Sequence, residues 1–161
     1  MQVVRENEFN YRNAKEILRQ LDSDLLDELY SILDKKSFKI DLKQEGKGRD
    51  LSKQIQKEFL KIEGWQEEVK SPTVSDLRYD LMKNNIPVEI EIGHERLVYA
   101  DFFKFLSDYA KRKIPCGVIV VTSNPREFGH TWHNNIASTK KKLEAISEYY
   151  LVPILVVPIR P

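Results

Sequence analysis

The chain has 161 residues, 41% of them hydrophobic and 32% charged; that suits one domain with a real core and excludes a disordered chain, a collagen-like chain and a disulfide scaffold. No apolar run approaches the roughly 20 residues of a membrane helix, and Met1 to Asn10 lacks the apolar stretch of a secretory signal, so a cytoplasmic protein with no membrane partner is expected. Lys and Arg number 26 against 25 Asp and Glu, a net charge of +1, so any nucleic acid would have to be held by local patches.

From Asn13 to Leu33 the residues Leu18, Leu21, Leu25, Leu29 and Ile32 recur at helical spacing. They predict an amphipathic helix, or a helix pair broken near Asp22-Ser23. Asp34 to Asp50 is Lys-rich and reads as a loop around a short Phe38-Lys39-Ile40 strand. Gly46-Lys47-Gly48 lacks the rest of a phosphate-loop motif and reads as plain loop. A second helix, capped by Asp50 or Ser52, runs to about Glu63 with Leu51, Ile55, Phe59 and Ile62 on its buried stripe, and Gly64 ends it. The period then changes. Val74 to Met82 and Ile86 to Ile92 read as two strands joined across Asn84-Asn85, a pair that tolerates the positive φ of a type I′ turn. Asp101 caps a third helix to about Lys113, with Phe102, Phe105, Leu106 and Tyr109 facing inward. Cys116 to Val121 is an apolar run of strand length, expected to be covered on both faces, and Cys116, the only cysteine, reads as a small core residue. A polar loop from Thr122 to Asn134 precedes a fourth helix marked by Ile136, Leu143, Ile146 and Tyr150. Leu151 to Val157 is the last strand, parallel to the previous one across a right-handed crossover.

In the second strand of the hairpin, alternation puts Glu89 and Glu91 on one face and Val88, Ile90 and Ile92 on the other. A two-residue turn at Asn84-Asn85 sets the register Lys83 with Ile86, Met82 with Pro87, Leu81 with Val88 and Asp80 with Glu89. Pro87 then falls where its neighbour asks nothing of a missing N–H. Like charges placed opposite one another destabilise a sheet. A divalent cation such as Mg²⁺, which binds through one or two carboxylates plus waters and phosphate oxygens, would offset the repulsion and make Asp80, Glu89 and Glu91 a site for metal-assisted hydrolysis. The competing reading is a solvated face on which Arg78 pairs with Glu91.

Asp80, eight residues, Glu89, one residue and Glu91, on a hairpin followed by a helix and the strand Cys116-Gly117-Val118-Ile119-Val120-Val121, resembles the PD-(D/E)XK nuclease superfamily, in particular its branch of BglII- and BamHI-like restriction endonucleases. The likeness runs from about Gly46 to Pro158. It includes Lys-Glu-Phe-Leu-Lys-Ile-Glu-Gly-Trp at 57–65, Tyr-Ala-Asp-Phe-Phe-Lys-Phe at 99–105 and Tyr-Leu-Val-Pro-Ile-Leu-Val-Val at 150–157. The resemblance implies an α/β fold with an α-β-β-β-α-β core, its mixed central sheet flanked by helices. Residues 1–161 would form one nuclease domain, with 1–45 an N-terminal helical region bearing an extra helix and 46–161 the catalytic core. It further implies hydrolysis of a phosphodiester in double-stranded DNA by a water activated by Mg²⁺, with Mn²⁺ a substitute, in a homodimer.

Carried over by position, Asp80 and Glu89 match the family's metal ligands. Glu91 stands where most of the superfamily has a catalytic Lys and this branch has Glu or Gln, so it would orient or deprotonate the attacking water. Tyr79 replaces the motif's Pro. Glu58, on the inward stripe of its helix, is a candidate fourth acid. The loops that approach bases in related enzymes correspond to His94-Glu95-Arg96 and Asn124-Pro125-Arg126-Glu127, and the run from Lys140 to Lys142 could contact phosphate. His130 and His133 have no third close ligand in the sequence and read as loop residues. Two alternatives share the fold: a DNA-repair or junction nuclease, and a DNA-binding or regulatory protein without turnover.

Overall fold

The computed structural model describes residues 1–38, 47–129 and 131–161. Lys39 and Ile40 of the expected short strand lie outside them, as do Gly46 and His130. The described helices are α1 (Ala14–Leu21), α2 (Leu25–Leu33), α3 (Lys47–Phe59), α4 (Val98–Ala110) and α5 (Ile136–Ala145). The described strands are β1 (Gln2–Val3), β2 (Phe9–Tyr11), β3 (Gln66–Lys70), β4 (Arg78–Lys83), β5 (Ile86–Ile90), β6 (Gly117–Thr122) and β7 (Ile154–Arg160). They form one sheet in the order β1-β7-β6-β5-β4-β3, with β2 also on β7. β5, β6 and β7 run parallel, and the remaining pairs are antiparallel. This is the expected mixed α/β architecture.

The hairpin that carries the acids has the predicted register. Asn84 and Asn85 adopt φ of 50° and 61°, as a type I′ turn requires, and Lys83, Met82 and Leu81 pair with Ile86, Pro87 and Val88. Backbone pairing stops there. The next donor of β5, Ile90 N, goes to Asp80 Oδ2 at 2.8 Å, so a carboxylate ends the ladder and is itself fixed by it. Alternation along β6 sends Val118 and Val120 into a core shared with α1, α2 and α3, and Ile119 and Val121 into a second core shared with α4 and α5. Both faces of β6 are thereby covered, as its unbroken apolar run predicts.

Several elements differ from the sequence reading. The N-terminal region is not wholly helical, because β1 and β2 extend the sheet along β7. Between Asn13 and Leu33 there are two helices; Asp22 Oδ1 accepts from Asp24 N at 3.2 Å and Leu25 N at 3.1 Å, which starts the second. Leu21 closes α1 on its outer side and is exposed rather than buried. α3 begins at Lys47, ahead of the expected caps, with Gly48 packed so closely that a Cβ there would sit 3.3 Å from Ile92 O. α4 begins at Val98 and places Asp101 in its first turn rather than at the cap. Leu106 faces outward. α5 stops at Ala145, leaving Ile146 and Tyr150 in the turn that follows it.

Candidate active site

Asp80 at the open end of the hairpin, Glu89 on β5, Glu91 just beyond it and Asp101 on α4 line one cavity of about 430 Å³. Gly48, Arg49 and Ser52 of α3 and Lys104 of α4 complete much of its wall. α4 runs over the acid side of the hairpin because Val98, Phe102 and Phe105, at i, i+4 and i+7, are buried in the second core. That anchoring turns a second stripe, Asp101, Lys104 and Asp108, toward the sheet. Asp108 is fully buried and satisfied; it accepts from Ser71 Oγ at 2.8 Å, Thr73 N at 2.9 Å and Tyr79 OH at 2.6 Å. It fastens the segment between β3 and β4 to α4.

Charge in the cavity is unbalanced. Lys104 Nζ is held by Glu89 Oε1, by Asp101 Oδ1 at 3.2 Å and by the Arg78 carbonyl at 2.7 Å. Two of the four carboxylates thus hold the one ammonium, Arg49 and Arg78 stand elsewhere on the wall, and Asp101 hydrogen-bonds to the Glu91 carboxyl. Burial is the first cause that raises every one of these acids. Asp80 is pushed up to about 6, with Asp101 adding to burial and the Ile90 N–H opposing it. Glu91 is pushed up to about 8 by burial and then by the Asp101 and Asp80 charges. Glu89 rises well above the carboxylate range for the same reasons, and burial raises Asp101. On Lys104 burial acts downward, but the Glu89 and Asp101 charges outweigh it and keep the ammonium charged. Such a site is short of positive charge.

Of the other residues singled out by sequence, Glu58 is not in the cavity. Its carboxylate pairs with Lys35 at 2.8 Å and Lys61 at 2.5 Å. It lies six residues beyond the cavity-lining Ser52, roughly 240° around the helix, and so faces the end of α2. Of the base-reading candidates, the segment of His94 and Arg96 meets the later part of the loop after β6, at 132–134, and not Asn124 or Arg126. The segments after β5 and β6 are joined by Asn134 N to Gly93 O at 2.8 Å and by Glu95 N to Trp132 O at 3.2 Å, and His94 bridges to His133. His94 stacks on Trp132 with ring centroids 5.8 Å apart. Arg96 and Arg126 are exposed, and Asn124 spends its Oδ1 on capping Arg126 N at 3.1 Å, which leaves its NH₂ for other partners. Lys140 departs from this surface: its ammonium lies 5.3 Å from the Phe9 ring, beside the N-terminal edge. Lys142 is the member of that run that reaches the loop after β5, donating to Glu95 O at 2.6 Å.

A family model described as restriction endonuclease BglII/BglIII matches residues 7–159. The chain belongs to the BglII/BglIII family. This BglII/BglIII-family chain is also similar in fold to a solved restriction endonuclease BglII complexed with a DNA 16-mer, with a TM-score of 0.75 and 15% identity, covering 99% of this chain and 76% of that one. No curated protein matches it in sequence. The family is one of DNA-cleaving restriction endonucleases, and no described helix is long and apolar enough to cross a membrane.

Asp101 and Lys104 are the cavity residues that sequence reasoning missed as functional. Their signal was present. An Asp and a Lys three apart, on a helix whose neighbours Phe102 and Phe105 are buried, are both only 5% exposed, and charges so placed need partners.

Proposed function

We propose that this BglII/BglIII-family endonuclease hydrolyses a phosphodiester of double-stranded DNA with Mg²⁺, for which Mn²⁺ can substitute, as a homodimer whose active sites centre on Asp80, Glu89 and Glu91. The observation that carries this reading is the open cavity in which Asp80, Glu89, Glu91 and Asp101 gather around Lys104. The donor set fits a hard divalent cation: it is all oxygen, and its acids are raised by burial and by one another, so a cation would favour their charged forms. Among the described residues no three His, Cys, Asp or Glu side chains form a ready-made metal cage; a Mg²⁺ ion here would use one or two carboxylates and fill its remaining positions with water and phosphate.

Asp80 is held by Ile90 N through Oδ2, so Oδ1 is the oxygen left for a cation. Glu89 supplies the second carboxylate once it parts from Lys104. Glu91 Oε1 is steadied by Gly93 N at 3.3 Å, leaving Oε2 to orient the attacking water and take its proton. A base near 8 in the metal-free pocket, lowered by a cation beside it, is well placed for that transfer. Bound Mg²⁺ would lower the pKa of a coordinated water and neutralise charge on the phosphate. Arg96 and Arg126 are exposed and the Asn124 amide NH₂ is left by its cap; with His94 they would supply the donors that read base edges. On α4, Tyr99, Phe103 and Leu106 are 56%, 55% and 40% exposed at i, i+4 and i+7, an apolar stripe suited to a second copy of the chain.

The test is incubation with supercoiled plasmid in Mg²⁺ and in EDTA. Discrete double-strand fragments in Mg²⁺ only, with uniform cut ends on sequencing, are expected. Nicking or branch-specific cutting would indicate a repair or junction nuclease, and metal-dependent DNA binding without cleavage would indicate a binding protein.

A further inference from the structure

We propose that Lys104, brought in on α4, is the phosphate-facing ammonium that the Glu-x-Glu strand lacks, kept on Glu89 until that carboxylate engages a divalent cation. The inference rests on the reading of Asp80 and Glu89 as cation ligands. A lysine ammonium has three N–H donors, and those of Lys104 meet Glu89 Oε1, Asp101 Oδ1 and the Arg78 carbonyl. Two of these anchors are independent of Glu89. Asp101 lies one turn back on the same helix, and the Arg78 oxygen belongs to the backbone at the start of β4. The aliphatic stem is packed away from solvent, the residue being 5% exposed, and the ammonium lies 5.1 Å from the Tyr79 ring centroid.

When Glu89 turns to a cation, these anchors keep the nitrogen in place and free one N–H inside the cavity. Any phosphodiester that reaches Asp80 and Glu91 brings further negative charge among carboxylates, and a fixed donor aimed at its oxygen offsets that repulsion as charge develops. Of the other cations on the cavity wall, the Arg78 guanidinium is turned to Glu68 O at 2.7 Å, and Arg49 stands on α3 with no ion pair to the cavity's acids among the described residues. The arrangement has a second consequence. While Lys104 sits on Glu89 it competes with the incoming ion, so cation affinity without DNA is held down.

The experiment compares wild type with Lys104→Met, which keeps the stem and removes the charge. Calorimetric titration of Mn²⁺ into the DNA-free proteins should show binding at least about fivefold tighter in the variant. Single-turnover cleavage of supercoiled plasmid at saturating Mg²⁺ should be about 10²- to 10³-fold slower, the usual loss for one transition-state donor. Should Lys104→Met not fold, Lys104→Gln, which is polar and uncharged, carries the same two expectations. Asp80→Asn separates the two levels. If it neither weakens Mn²⁺ binding nor slows cleavage, the cation-site reading fails. If it does both while the Lys104 variant cuts at the wild-type rate or binds Mn²⁺ no more tightly, the role of Lys104 alone is overturned.

Discussion

Asp80→Asn should change how stability depends on pH in the metal-free protein. The folded protein keeps the Asp80 proton up to about pH 6, whereas the unfolded chain releases it near the ordinary 3.8. Between those values the native state binds more protons than the unfolded state, so stability falls as pH rises. A shift of about two units at about 1.36 kcal/mol each gives a loss of about 3 kcal/mol. The amide oxygen of the substituted side chain can still accept from Ile90 N, so the variant keeps the contact and loses the titration. Urea unfolding in EDTA at half-unit steps from pH 4 to 8.5 measures the effect as wild type minus variant. That difference should drop by about 2 kcal/mol between pH 4 and 6.5, the remainder falling mostly below pH 4, and then flatten. Glu91, pushed up to about 8 in part by the Asp80 charge, continues the decline in wild type and less so in the variant, and saturating Mg²⁺ should flatten the wild-type curve. A difference that stays constant or rises between pH 4 and 6.5 would refute the burial argument.

Glu58→Ala should leave Mg²⁺-dependent plasmid cleavage within about twofold of wild type, since the Glu58 carboxylate meets Lys35 and Lys61 outside the cavity; a loss of tenfold or more would bring Glu58 back into the site. Leu106→Glu combined with Phe103→Asp should shift sedimentation from dimer toward monomer, because the two side chains are the middle and end of the exposed α4 stripe. An unchanged sedimentation coefficient would remove that face from the interface. Asp108→Ala leaves Ser71 Oγ, Tyr79 OH and Thr73 N without their acceptor and should cost at least about 3 kcal/mol in urea unfolding.

The parts of the fold legible in sequence are those whose signal is local. Asn84-Asn85 encodes a turn, the turn sets the register, and the register brings Asp80 and Glu89 to one place. The parallel β6 and β7 were legible from their apolar runs. β3 was not: its Gln-Glu-Glu-Val-Lys is an edge strand exposed along most of its length, so no burial imposes alternation on it. β1 and β2 are only two and three residues long and exist through pairing with β7 near the opposite end of the chain. α4 starts early because Val98 is buried, which no polar cap announces. The acids on the hairpin could be read from period two, but the partnership of Lys104 with Glu89 joins a helix to a strand 15 residues apart and appears only when both are packed. Glu58 misled because a helical stripe has edges, and one step around α3 separates the core from Lys35, after α2, and Lys61, after α3.

The most direct measurement of the central claim is plasmid cleavage by purified, folded Asp80→Asn beside wild type at matched Mg²⁺. Cleavage slowed by at least about 10³-fold, with thermal unfolding still cooperative, is the predicted result. Mg²⁺-dependent cleavage at the wild-type rate would contradict the placement of the chemistry at Asp80, Glu89 and Glu91.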